Sequence, residues 1–261
     1  MLFFALTAWQ IQIFSDRAGR RGRGWLFAAL FASMPVVPLV ASWGYAEAPF
    51  WLMLVCAMSR LLLWRDSGAR QDLWLAGICI AGAACTKNEG ILFAVLSVAW
   101  VALCGRKFRD MAAVILPVLL FAGAWKAYCV FGMDASKHAV ASLASTQPGL
   151  SQWAGMLAEA GKYVWIQWTD VKQWNLVLPA ALLAAAWLAL RGKGRDRMNL
   201  LLPFGMLFAL FAVVLLHGDN WLWQLGVAWN RLTIQFFVLL LPVLVAGFMR
   251  KSSENKGAGH A

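Results

Sequence analysis

A chain of 261 residues that is 62% hydrophobic and 13% charged lacks the polar surface of a soluble domain, in which roughly 25% of residues are charged. The same composition suits a bilayer, where each spanning helix needs about 20 mostly apolar residues. A net charge of +11 would fit a nucleic-acid partner, but the basic residues sit in short clusters between apolar runs. That is how a membrane protein sets its orientation, and it excludes nucleic acid as the partner.

Nine apolar runs follow in order, over residues 1–14, 25–42, 48–64, 73–86, 91–104, 111–131, 176–190, 199–216 and 232–249. They predict an all-α fold, a polytopic transmembrane bundle of about nine spans forming one domain over 1–249, with a basic tail over 250–261. The first run is short for a span. No positive residue precedes it, and a basic loop follows where a small-residue cleavage site would stand, so it is not a signal peptide. The expectation is a helix that has lost its outer end, and hence a chain that is part of a longer protein.

The second run carries Pro35 and Pro38 and leads into Ser42-Trp43-Gly44-Tyr45-Ala46-Glu47-Ala48-Pro49. This reads as a tight turn, with Pro49 suited to a first helical turn. Glu47 lies at the positive start of the next helix, where a carboxylate is favoured either as a terminal charge or as a functional group. The fourth and fifth runs, about 14 residues each, reach roughly 21 Å at about 1.5 Å per residue, against a hydrocarbon core of about 30 Å. They meet at Thr86-Lys87-Asn88-Glu89-Gly90, polar backbone that must be covered by protein or line a wet cavity. Lys87 and Glu89 are either functional, the default for ionisable groups at membrane depth, or a mutual interfacial ion pair.

Between the sixth and seventh runs lies the one long outer segment, 132–175. Within it Trp153, Met156, Leu157, Ala160, Tyr163, Val164, Gln167 and Trp168 recur at helical spacing, with Lys162 and Lys172 alongside. This predicts an amphipathic helix lying in the membrane interface. After the eighth run come His217-Gly218-Asp219-Asn220-Trp221 and then Trp229-Asn230-Arg231. Arg231 is the one arginine on the outer side and opens the ninth run. Its guanidinium suits either a phosphate or ordinary lipid headgroups.

Arg17, Arg20, Arg21 and Arg23 fall in the first loop, Arg65 and Arg70 in the third, Arg106, Lys107 and Arg109 in the fifth. Arg191, Lys193, Arg195 and Arg197 fall in the seventh, and Arg250, Lys251 and Lys256 in the tail. The intervening loops are poor in Lys and Arg, so the odd loops and the C-terminus are expected in the cytoplasm of a cell with this as its inner membrane. The five cysteines form no CxxC pair and no His/Cys zinc spacing, and read as small apolar packing residues. There is no P-loop, GxGxxG after a strand, HExxH or nucleophile elbow.

The order of elements resembles the GT-C class of membrane glycosyltransferases, in its protein-mannosyltransferase and aminoarabinose-transferase-like branch. The shared features are a basic loop, a span with paired prolines, the outer turn GYAEAP, two short spans around TKNEG, a span ending AWKAYCVFG, and Asn230-Arg231 at the start of the ninth. The resemblance implies transfer of a sugar, with inversion, from a polyprenyl-phosphate-linked donor to a hydroxyl of a glycan, lipid or protein acceptor on the outer face, among membrane lipids. It implies Glu47 at the acidic position of the outer turn, where the family usually has Asp, with Lys87 and Arg231 on the donor phosphate. Tyr45, Asn88, Glu89 and Asn230 support that cavity. No cofactor is implied; a divalent cation beside Glu47 and Glu89 has no ligand signature of its own. The family's principal catalytic Asp lies in a first outer loop, ahead of the region where this chain opens, so the expectation is an incomplete or inactive enzyme. The rival expectations are a transporter or lipid flippase, which would need inverted repeats and broken helices near mid-membrane, and a non-catalytic assembly subunit, which would need no convergence of Glu47, Lys87 and Arg231.

Overall fold

The computed structural model describes residues 2–17, 24–42, 46–105, 107–131, 150–216 and 221–257. All elements among them are helical: α1 (Leu2–Arg17), α2 (Gly24–Ser33), α3 (Val36–Ser42), α4 (Glu47–Ser67), α5 (Arg70–Thr86), α6 (Glu89–Gly105), α7 (Phe108–Phe131), α8 (Leu150–Trp168), α9 (Val171–Trp174), α10 (Val177–Arg191), α11 (Gly194–Leu215) and α12 (Trp221–Gly257). Each apolar run falls on one helix or, for 25–42, on two. Helices α4, α7, α11 and the 228–248 part of α12 are long and apolar enough to cross a membrane, and the α2–α3 pair would make a fifth. The length criterion is thus met by four or five of the nine. The chain is an all-helical membrane protein.

Three boundaries differ from the sequence reading. The run 25–42 is broken, with α2 and α3 bent by 71°. Pro35 lacks the N–H that would bond the Phe31 carbonyl and disfavours helix at Met34; beyond the break the Val37 N–H, which a continuous helix would give to the Ser33 carbonyl, donates to the Met34 carbonyl at 3.0 Å. Asn175, after α9, donates to the Ser33 carbonyl from Nδ2 at 2.6 Å, a neighbour satisfying backbone that a break sets free. The two short runs become helices of 17 residues each, about 26 Å long, because their polar flanks join them. And α12 begins at Trp221, so Asn230 and Arg231 lie inside it rather than at its start. Nothing in residues 221–229 breaks a helix, and their aromatic and aliphatic side chains give it a face to bury.

Central to the bundle is α12, where residues 232–247 are buried without a break, Thr233, Gln235 and Pro242 included. A helix apolar and buried all round is an interior one, and α12 touches α1, α2, α3, α4, α8, α10 and α11. Phe237 stacks on Phe31 of α2, which meets Trp51 of α4 edge-on. The predicted interfacial helix α8 buries Met156 and Ala160 and half-buries Trp153, Tyr163, Val164 and Trp168. Trp168 stacks on Trp229 and Phe236 and donates to Thr233 Oγ1 at 3.1 Å. Leu157, expected on that face, is instead exposed together with Trp165 and Ile166.

The basic ends of several helices gather at one end. Arg60 pairs with Asp72 at 2.8 Å and Arg70 with Asp110 at 3.8 Å. Arg65 donates to the Arg195 carbonyl at 2.8 Å and to Asn199, while Arg195 pairs with Asp66 and donates to the Arg65 carbonyl. Trp100 lies under the Arg65 guanidinium and donates to the Met198 carbonyl at 2.8 Å. These bonds tie α4, α6 and α11 together. Gly68, at φ +73°, ends α4 there in the left-handed conformation that glycine adopts without strain.

Candidate functional site

The opposite end of α4, about 27 Å away along its axis, carries Glu47. The residue stands in the first turn, after the N-cap Ala46. Its carboxylate has no exposure at all, and the partners that surround it come from far along the chain. Lys87, just past the end of α5, places Nζ 2.5 Å from Oε1 and 5.7 Å from the Phe50 ring. Arg231 Nη1 lies 3.6 Å from the same oxygen, and Gln235, one turn further along α12, offers Nε2 to Oε2 at 3.4 Å. Glu89, opening α6, lies 3.6 Å from Lys87. A buried charge persists only when paired and hydrogen-bonded, and Glu47 is paired on both oxygens.

The turn that brings Lys87 and Glu89 there is tight because Gly90 allows it. A Cβ at Gly90 would stand 2.3 Å from the Ala83 carbonyl of α5, so the first turn of α6 can rest on the last turn of α5 only with no side chain between. The chain reverses at Lys87 and Asn88, with Gly90 N–H donating to the Lys87 carbonyl at 3.0 Å. Lys126 of α7 reaches across to this turn and donates to Asn88 Oδ1 at 2.7 Å.

Together these residues line a polar chamber of about 470 Å³, walled by Glu47, Lys87, Asn88, Glu89, Lys126 and Arg231, with Thr86, Cys85 and Trp125 beside them. Asn88, Glu89 and Arg231 also border a second chamber of about 360 Å³, whose other walls are Leu92, Leu210, Val213, Val214, Ala228 and Leu232. Both volumes fall within the roughly 300–1,000 Å³ of small-ligand sites. Charged and polar side chains dominate the first chamber, whereas the second adds six aliphatic walls to the three polar residues the two have in common.

Of the residues singled out from sequence, Glu47, Lys87, Asn88, Glu89 and Arg231 meet in the polar chamber. Asn230 does not line it; its Oδ1 is buried with no hydrogen-bond partner, because it points from α12 about 100° away from Arg231. Tyr45 and the 217–220 segment lie outside the described residues. Lys126, Trp125 and Gln235 are additions. A lysine and a glutamine within runs 111–131 and 232–249 were visible as polar groups at membrane depth, the feature that marks function by default. Among the described residues no group of three or more His, Cys, Asp or Glu side chains gathers as a metal site would, and Lys87 stands between Glu47 and Glu89.

The fold and site thus define a membrane protein, helical throughout its described residues, with a charged chamber at a buried carboxylate and a more aliphatic one beside it. Comparison with protein-family profiles, with curated proteins and with solved structures finds no match for this chain.

Proposed function

We propose that this protein is a GT-C-like glycosyltransferase of nine spans in the inner membrane, with its C-terminus in the cytoplasm, that moves a sugar from a polyprenyl-phosphate donor to a hydroxyl acceptor on the outer face. The observation that carries the reading is the pair of chambers: a charged one around Glu47 and a second with largely aliphatic walls, which share Asn88, Glu89 and Arg231. A substrate that fills both is an amphiphile with an anionic head and an apolar tail. In the reaction Glu47 takes the proton of the acceptor hydroxyl, whose oxygen bonds to the anomeric carbon. The bond from that carbon to the phosphate oxygen breaks, and its electron pair leaves on the phosphate beside Lys87 and Arg231.

The polar groups gather at one end of α4 and not midway along it, unlike the midplane site of a transporter. An assembly subunit has no requirement for a buried carboxylate with two cationic partners.

The test is sugar transfer in proteoliposomes from a labelled polyprenyl-phosphate sugar, with the full chain and with Glu47→Gln, each assayed well below its own melting temperature. Loss of transfer with donor binding retained is the expected result. Equal turnover in folded Glu47→Gln would remove Glu47 as the base, and a wild-type chain that neither binds nor uses the donor would remove the reading itself.

A further inference from the structure

Three cations and two carboxylates line the polar chamber, and the ion pairs divide them unequally. Lys87 stands between Glu47 at 2.5 Å and Glu89 at 3.6 Å, and Arg231 lies 3.6 Å from the Glu47 oxygen that Lys87 holds. Drawing either cation toward another anion weakens the hold on a carboxylate with no exposure, and a buried charge left without its partner is strongly unfavourable.

Lys126 is placed differently. Among the described residues no carboxylate pairs with it, and its ammonium donates to a neutral acceptor, Asn88 Oδ1, at 2.7 Å. An anionic oxygen makes a shorter and stronger bond to an ammonium than an amide oxygen does. Asn88 also borders both chambers, so the Lys126 nitrogen, itself on the polar chamber's wall, is held beside a residue the two share. An amphiphile with its tail in the more aliphatic chamber and its head in the polar one must put its linking group beside the shared residues. The surplus of one positive charge among the lining residues matches a group with one negative charge, as a phosphodiester has.

We propose that Lys126 binds the linking phosphodiester of the lipid substrate directly, taking an anionic oxygen in place of Asn88 Oδ1. Lys87 and Arg231 contribute positive field and act as positioning residues for Glu47. The assignment rests on the function proposed above and deepens it by naming the residue that recognises the anion.

The experiment is native mass spectrometry of the full chain in phosphatidylcholine nanodiscs, titrated with a polyprenyl methyl phosphate and, separately, with the uncharged polyprenol. Wild type is expected to prefer the phosphodiester. Lys126→Gln loses about 10- to 100-fold of that preference, the range one hydrogen bond to a charged group supplies, and Lys126→Arg restores it. Because the Lys126 hydrogen bond is exposed, Lys126→Gln is expected to melt with wild type, which separates lost recognition from lost folding. An unchanged preference in Lys126→Gln overturns the assignment and leaves the functional reading standing. A wild-type chain that does not distinguish the phosphodiester from the alcohol overturns both. Repeating the titration in phosphatidylglycerol nanodiscs separates the two sources of phosphodiester: a preference that survives supports a lipid-donor site, and one that vanishes makes Lys126 a contact for bulk anionic lipid and overturns the assignment.

Discussion

Replacing Lys87 by Met removes the nearest partner of a fully buried carboxylate while keeping most of the side-chain volume. Glu47 then retains Arg231 at 3.6 Å and Gln235 at 3.4 Å, both longer than a good charge-assisted hydrogen bond. Breaking a buried pair from one side costs about 3–5 kcal/mol, and the two remaining partners put this case near the lower end, about 3 kcal/mol. Glu47→Gln strands the cations instead, but Lys87 and Arg231 keep 15% and 25% exposure toward the chamber. Its loss is therefore smaller, about 2 kcal/mol. In the double variant neither side leaves a fully buried charge, so the two losses overlap by about 2 kcal/mol, within the range for residues of one network. Thermal unfolding in detergent, followed by tryptophan fluorescence, converts these at about 2–4 °C per kcal/mol for a chain of this size. Lys87→Met should melt about 6–12 °C lower and Glu47→Gln about 4–8 °C lower, with the double variant no worse than Lys87→Met alone. A double variant that shows the full sum of the two losses, or a Lys87→Met that melts with wild type, refutes the buried network.

Asn175 holds the Ser33 carbonyl and sits at φ 49°. Both variants lose the hydrogen bond, about 1 kcal/mol, but Asn175→Gly also sheds the Cβ that Asn175 already holds at positive φ and regains about 1 kcal/mol, so it should melt near wild type and Asn175→Ala lower; equal melting temperatures for the two variants would remove the strain component. At Gly90 a Cβ would meet the Ala83 backbone at 2.3 Å, with no flexible side chain to move aside. Gly90→Ala should cost about 1–3 kcal/mol as overpacking, and its melting temperature should fall where Gly123→Ala, facing open space, leaves it level or raised.

Helix identity was legible because the apolar runs are long and are separated by charge. The turn at Thr86-Lys87-Asn88-Glu89-Gly90 was legible too, since polar residues between two short apolar runs have nowhere else to go. The 71° break at Met34-Pro35 falls at a proline inside one unbroken apolar run, where composition alone reads as a continuous span. The donor that satisfies the freed Ser33 carbonyl, Asn175, lies 142 residues away in sequence. The helical start of α12 at Trp221 was hidden because Arg231 looks like a boundary when lipid is assumed outside, whereas the fold gives it a buried carboxylate to approach. The roles of Gln235 and Lys126 are hidden for the same reason: each is one polar residue in an apolar run, and the partner that explains it, Glu47 or Asn88, lies in a different helix or turn. Periodicity reports which face is apolar; it carries no record of which distant helix supplies the complement.

The two halves of the site are held with unequal firmness, and the difference follows from where each side chain is rooted. Arg231 and Gln235 project from the part of α12 that is buried without a break over residues 232–247, Arg231 at its edge. Lys87 and Glu89 are fixed by a turn that Gly90 presses against α5. Lys126 projects from α7, whose membrane-length stretch is 17% buried and whose last part, Ala124–Phe131, buries no residue. A π-helical segment, Val118–Gly123, separates that part from the half of α7 that packs on α5, and such segments sit often at functional sites. Local stability follows buried apolar contact. Moving Glu47 away from Lys87 and Arg231 therefore disturbs the core, whereas lifting Lys126 from Asn88 disturbs one exposed hydrogen bond. A site built this way keeps its carboxylate in one place and leaves its third cation to meet what arrives.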